Sequence, residues 1–164
     1  MVQIDIKPEW IKEAQKKADD LGILKHSFMK GEGNLVGFLG EILVAKFLNA
    51  DIQNTYDYDL VRGNIKIDVK SKKCTSKPRD HYECSVAAYN TKQKCDFYVF
   101  VRILDTLDLG WICGIIRKEK FFTKAKFYKK GFTDTRNYMT FKEDTYNMEI
   151  GDLVDLGKFI KKSI

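Results

Sequence analysis

The sequence predicts an α/β (α+β) domain built on a central mixed β-sheet of four to five strands flanked by helices. Three observations carry that expectation. Apolar residues recur at three- and four-residue steps over 8–21 and 34–49, the period of helices packed on a core. From 55 to 116 the period shortens to two in several runs, broken by Gly63-Asn64, Pro78 and the polar stretch 105–108. The run FYVFVRI at 97–103 is apolar on both faces except for Arg102, which suits a central strand covered on each side. Tight turns between the early strands and longer links between the later ones make the sheet mixed. The 164 residues suffice for one core and demand no second. We therefore read one domain over 1–164, with an N-terminal helix at 8–21, a core near 34–116, and a basic extension with a closing helix at 117–164.

Pro8 fits the first turn of the N-terminal helix, whose inward stripe is Ile11, Ala14, Ala18 and Leu21 and whose terminator is Gly22. Lys12, Lys16 and Lys17 make its outer side basic. The link 25–33 has Gly31 and Gly33 but no apolar repeat and reads as a mobile loop. Its GEGN lacks the spacing and the Lys-Ser/Thr of a phosphate-binding loop. Asn34 is placed to cap the helix 34–49. One stripe of that helix is Leu35, Phe38, Leu39, Ile42, Leu43 and Phe47, and the opposite arc carries Gly37, Val44, Ala45 and Leu48. Glu41 falls in this second arc, where no helical neighbour can neutralise it. An ionised carboxylate there is costly unless a cation or donors from another element meet it. The alternatives are a thin solvent-facing strip or a pairing with a distant lysine.

Strand-like residues at 55–61, the turn Gly63-Asn64 and the run 65–70 form a two-residue hairpin signal. Pairing Arg62 with Ile65 sets Val61 opposite Lys66, Leu60 opposite Ile67 and Asp59 opposite Asp68. Opposed side chains have Cβ atoms about 4.5–5.5 Å apart, and like charges there repel. A divalent cation removes that repulsion, and Mg²⁺ commonly takes one or two carboxylates plus water and phosphate oxygens. Lys70 shares the face of Asp68 and, in this register, also faces Asp57. The alternative is thus a plain Asp57–Lys70 ion pair on a solvated sheet face. A one-residue slip would turn Asp59 away.

Beyond Lys70 comes a basic run, Lys72, Lys73, Lys77 and Arg79, with Pro78 ending the strand. Charge beside the paired acids suits phosphates flanking a reacting one; a merely soluble loop is the alternative. Residues 81–89 read as a third strand, 90–96 as a short helical turn, and 109–116 as a strand with Gly110 and Gly114 as weak points or bulges. From Arg117 onward lysines, among them Lys124 and Lys126, alternate with Phe121, Phe122, Phe127 and Tyr128. That composition suits backbone neutralisation with contacts to exposed bases. It suits equally, for Phe121 and Phe122 above all, the buried side of a short helix and strand. In the closing helix Leu153, Leu156, Phe159 and Ile160 face inward, and Lys158, Lys161 and Lys162 complement its negative end.

The formal net charge of +6 suits a polyanionic partner without requiring one. Cys74, Cys84, Cys95 and Cys113 contain no C-x-x-C, and His26 and His81 form no zinc pattern with them. Reduced, structural thiols in a cytoplasmic (intracellular) protein are the expectation, with a four-cysteine iron–sulfur cluster as the alternative. The first residues lack a signal-peptide apolar run, and no stretch is long enough to span a bilayer.

Read together, Glu41 on a helix, Asp59 on the next strand and Asp68-Val69-Lys70 on the strand after it resemble the PD-(D/E)XK nuclease superfamily, of restriction-endonuclease-like fold. The similarity covers roughly 34–116 in element order. It implies a metal-dependent DNA endonuclease. Asp59 and Asp68 would be ligands of Mg²⁺, with Mn²⁺ as substitute, and Glu41 a further ligand, directly or through water. Lys70 would orient or activate the attacking water, and the product would carry a 5′-phosphate. Lys72, Lys73, Lys77, Arg79, Lys124 and Lys126 are the candidate nucleic-acid contacts, with DNA as the expected partner and RNA left open. Two departures stand out: Tyr58 rather than proline precedes Asp59, and Gln93 is followed four residues later by Phe97 where an exonuclease-like subset has tyrosine. A junction- or flap-resolving enzyme, acting as a homodimer, and a non-catalytic nucleic-acid-binding module on the same fold are the alternatives.

Overall fold

The computed structural model describes residues 1–21, 32–135 and 138–162. In chain order the elements are β1 (Val2–Asp5), α1 (Pro8–Leu21), α2 (Glu32–Leu48), β2 (Asp51–Ile52), β3 (Leu60–Arg62), β4 (Ile65–Cys74), β5 (Glu83–Ala87), β6 (Phe97–Leu104), β7 (Leu109–Arg117), α3 (Lys118–Lys124), β8 (Lys126–Tyr128), β9 (Thr133–Asp134), β10 (Met139–Thr140), β11 (Thr145–Glu149) and α4 (Leu156–Lys162). The main sheet is curled and mixed, in the order β1-β7-β6-β4-β3-β2. Only β4 and β6 run parallel in it. A second sheet, β5-β11-β8, and the β9-β10 pair lie outside it.

The main sheet has six strands rather than four to five. Its extra members are short: β1 pairs with β7 from the far side of the sequence, and β2 offers only two residues. The strand expected at 81–89 shortens to β5 and joins the second sheet. The turn expected at 90–96 is a 3-10 helix at Ala88–Lys92. The hairpin keeps the predicted register, Arg62 with Ile65, Val61 with Lys66 and Leu60 with Ile67. Its first strand does not begin at 55, because Thr55 Oγ1 donates to the Tyr58 carbonyl (2.7 Å) and accepts from the Tyr58 N–H (3.0 Å), closing a turn instead.

Helix α2 packs on one face of the sheet. Leu39, Ile42 and Leu43 are fully buried in a core shared with Val99, Val101 and Ile103 of β6. The helix starts at Glu32, so Asn34 lies inside it rather than capping it. The rest of the expected 25–33 loop, with Gly22 and His26, falls outside the described residues. Gly40 lets α2 touch β4: a Cβ there would stand 1.9 Å from Ser71 Oγ and 3.0 Å from Ser71 Cβ. In α1, Ala14 and Ala18 are buried as expected, whereas Leu21 is 46% exposed and leaves the stripe.

The other face of β6, with Tyr98 and Phe100, packs against Phe121, Val86, Met148 and Ile150. FYVFVRI is thus covered on both sides, and Phe121 belongs to the core. The residues after 117 are stitched into the domain. Val154 exchanges backbone hydrogen bonds with Ile115 (2.8 and 3.0 Å), and Leu156 is fully buried. This crossing needs Gly114, where a Cβ would meet Leu153 Cβ at 2.6 Å and the Val154 carbonyl at 2.8 Å. Cys84, Cys95 and Cys113 are buried free thiols, and burial pushes them up to about 12, 11 and 12, so they stay protonated. No described helix is long and apolar enough to cross a membrane.

Candidate active site

Alternation along β4 sends Ile67 and Val69 into the α2 core and Asp68 and Lys70 to the opposite face, beside Tyr98 and Phe100 of β6. Asp68 is 2% exposed. Lys70 Nζ lies 2.6 Å from Asp68 Oδ2 and donates to Gln93 Oε1 (3.3 Å), with the Tyr98 ring 5.8 Å from its ammonium. Lys70 therefore does not pair with Asp57, whose carboxylate instead accepts from the Lys94 N–H (3.2 Å). The plain surface ion pair gives way to a lysine held against a buried acid.

Asp59 sits one residue before β3, and its position follows from the hairpin register. Its N–H donates to the Ile67 carbonyl (3.0 Å), and its Oδ2 accepts from the Val69 N–H (2.7 Å). The carboxylate replaces the next carbonyl of a ladder that β3 is too short to continue, which fixes it beside Asp68. From α2, where Gly40 packs on Ser71, Glu41 comes within electrostatic reach of Asp59 and Asp68. Glu41 is 9% exposed, and its Oε2 has no hydrogen-bond partner. A thin solvent-facing strip is thereby ruled out. The cations acting on it are Lys17 of α1 and then Lys70. A cleft of about 300 Å³ opens on Glu41 and Asp59, with Asn34, Gly37 and Thr55 in its wall.

Burial above all makes each of the three acids resist ionisation, and for Glu41 and Asp59 a neighbouring acid adds to it. Burial, then the Asp59 charge, pushes Glu41 up to about 8 against the opposing pull of Lys17. Burial, then Asp68, pushes Asp59 up to about 7 although the Val69 N–H favours its charged form. Burial raises Asp68 as well, countered by Lys70 and Gln93. The donor set is hard oxygen, Glu41 Oε2 lacks any partner, and the contact of Asp68 Oδ2 with Lys70 does not meet hydrogen-bond geometry. These features fit a hard divalent cation. The acids are not drawn into a closed cage: among the described residues no three acid, histidine or cysteine side chains stand at metal-holding separations. Two carboxylates with water and a phosphate oxygen suffice for Mg²⁺.

Gln93, absent from the candidate set, is central to the cluster. It is 6% exposed, and its Nε2 donates to Asp68 Oδ1 (2.8 Å) and to the Tyr56 carbonyl (2.9 Å). Lys118 Nζ donates to the Gln93 carbonyl. The signal in the sequence was the glutamine four residues ahead of the central strand. Of the candidate nucleic-acid contacts, Lys72 and Lys73 continue β4 past Lys70, and both line a groove beyond it. Lys77 and Arg79 are exposed in the following loop. Lys124 and Lys126 are exposed on α3 and β8, outside the acid cluster, with Lys126 Nζ 5.0 Å from the Tyr128 ring.

Compared with known proteins, the chain matches no family model and no curated sequence.

Proposed function

We propose that the chain is a metal-dependent DNA endonuclease of the PD-(D/E)XK type, with Glu41, Asp59, Asp68 and Lys70 as its catalytic set on a restriction-endonuclease-like core. The observation that carries this reading is the buried convergence of three mutually repelling carboxylates with a lysine clamped on one of them. Such a cluster costs folding energy, and a surface that merely binds phosphates gains nothing from it. Asp59 and Asp68 would hold Mg²⁺, with Glu41 bound directly or through water, and the bound ion would supply a polarised phosphoryl oxygen and a water of lowered pKa. The Val69 N–H keeps Asp59 oriented, and Gln93 holds both Asp68 and Lys70 by their polar atoms. Lys70 places its ammonium where a water and the negative charge developing on the phosphate need it.

Incubating supercoiled and linear DNA with Mg²⁺ or Mn²⁺ tests the reading. Intact protein should cut in a metal-dependent manner, and Asp68→Ala should lose about 100-fold or more. No metal-dependent cutting, or equal cutting by both proteins, would remove it.

A further inference from the structure

Arg102 is the single charge in the central strand, and its surroundings are unusual. It is 8% exposed and stands in register beside Lys72 of β4. Its guanidinium donates from Nη2 to the Glu83 carbonyl (2.6 Å), which uses one of five N–H donors. None of the ion pairs among the described residues includes it. The neighbouring Glu83 carboxylate is turned to other partners, accepting from Asn147 Nδ2 (2.7 Å) and the Tyr128 hydroxyl (3.5 Å). A buried guanidinium with a lysine at its side, and with the nearby Glu83 carboxylate outside ion-pair contact, offers a site for an outside anion.

The space around it has the size of a small molecule. A groove of about 490 Å³ is walled by Lys72, Arg102, His81, Tyr82 and Asn147 and also by Glu83, whose carboxylate Asn147 holds. A smaller pocket of about 200 Å³ shares Lys72, Ser85 and Arg102 with it and has Lys70 in its own wall, so the groove adjoins the acid cluster. Asn147 is 2% exposed, and its Oδ1 has no hydrogen-bond partner although the bond from its Nδ2 fixes the amide. Asparagine is a frequent reader of base edges, and a small rotation of the Asn147 side chain would turn its unpaired oxygen from the wall towards a base amino group. The rings of His81 and Tyr82 offer flat faces at the groove wall.

We propose that this groove is a nucleotide subsite: Arg102 and Lys72 take the phosphate of one nucleotide, and its base lies in the groove against Asn147. The inference rests on reading the adjoining acids as a phosphodiester-cleaving site and names what lies next to the scissile bond. Lys70 and Lys72 share a face two residues apart, a separation of about 6.6 Å. That is comparable to the spacing of successive phosphates along a strand. The groove matches one ligand-sized occupant rather than a duplex. The nucleotide must leave its stack to enter, so the favoured substrate carries unpaired nucleotides beside the cut.

The test titrates the intact chain, without metal, with deoxycytidine 5′-monophosphate, deoxycytidine and inorganic phosphate, following amide chemical shifts. The monophosphate should bind at least about tenfold more tightly than either fragment. Lys72→Ala, at an exposed position that leaves the core intact, and Arg102→Lys should each weaken it about tenfold, whereas Asp68→Asn should not. With oligonucleotides, Lys72→Ala should raise KM by a larger factor than it lowers kcat, most clearly on single strands. Phosphate binding as tightly as the monophosphate, binding indifferent to Lys72→Ala and Arg102→Lys, or binding lost in Asp68→Asn would each overturn the subsite. Metal-dependent cutting without groove binding overturns this inference alone. Groove binding without metal-dependent cutting overturns the proposed function and leaves a nucleotide pocket.

Discussion

At the scale of single residues, the acids are expensive to keep charged, and the direction of that cost is measurable. Glu41 has its ordinary value of 4.5 raised to about 8. The folded state therefore holds its proton more tightly than the unfolded one. The resulting stability is full below about 4.5 and is lost as pH rises through about 8, a span on the order of a few kcal/mol. Glu41→Gln should accordingly melt close to the intact protein at pH 5 and higher than it at pH 8.5; the reverse order in a thermal melt contradicts the buried-acid account. A divalent cation competes with those protons, so Mg²⁺ should raise the melting temperature more at pH 8 than at pH 6, with the gain lost in Asp68→Asn. An equal rise at both pH values would mean that the ion binds elsewhere. Gln93→Ala should lower kcat about 10- to 100-fold with a displaced pH profile, measured at a temperature where the variant, about 1–3 kcal/mol less stable, is still folded, because it frees Lys70 and Asp68 from their common partner. The facing of Asp59 and Asp68 was readable from the turn chemistry and the unneutralised setting of Glu41 from its helix period, whereas only the family resemblance joined Glu41 and Lys70 to the pair. Gln93 and Arg102 were not readable, because each gains its meaning from a neighbour that no short-range pattern specifies.

At the scale of elements, the contact of α2 with β4 sets where Glu41 stands. Gly40→Ala puts a methyl against Ser71, whose hydroxyl can rotate away but whose Cβ cannot, for a cost of about 1–3 kcal/mol. The Mg²⁺ response should weaken with it, since Glu41 is the next residue. Replacing Ser71 with glycine in the same chain should restore both in a denaturant titration and a metal melt; a double variant no better than the single one would show that the helix is not seated there. The hairpin register was readable because Gly63-Asn64 fixes it. The extent of its first strand was not, since a side-chain turn at Thr55 competes with the ladder.

For the whole molecule, the segment after β7 is structural as well as basic. Leu156 sits fully buried in the same core as Leu39 and Val99. Leu156→Ala should cost about 2–5 kcal/mol in chemical denaturation, while an appended tail would lose almost nothing. The mixed sheet with flanking helices was apparent from the order of periods. Its true width was hidden, because β1 is four residues long and pairs with a strand about a hundred residues later. Asp68, Lys70 and Lys72 follow one another on one face of β4, so that strand works as a ruler whose graduations are peptide units. Substitution can retune what stands at each mark, but inserting one residue would turn every later mark to the far side of the sheet, so the separation between the proposed metal site and the proposed phosphate grip cannot drift by small steps.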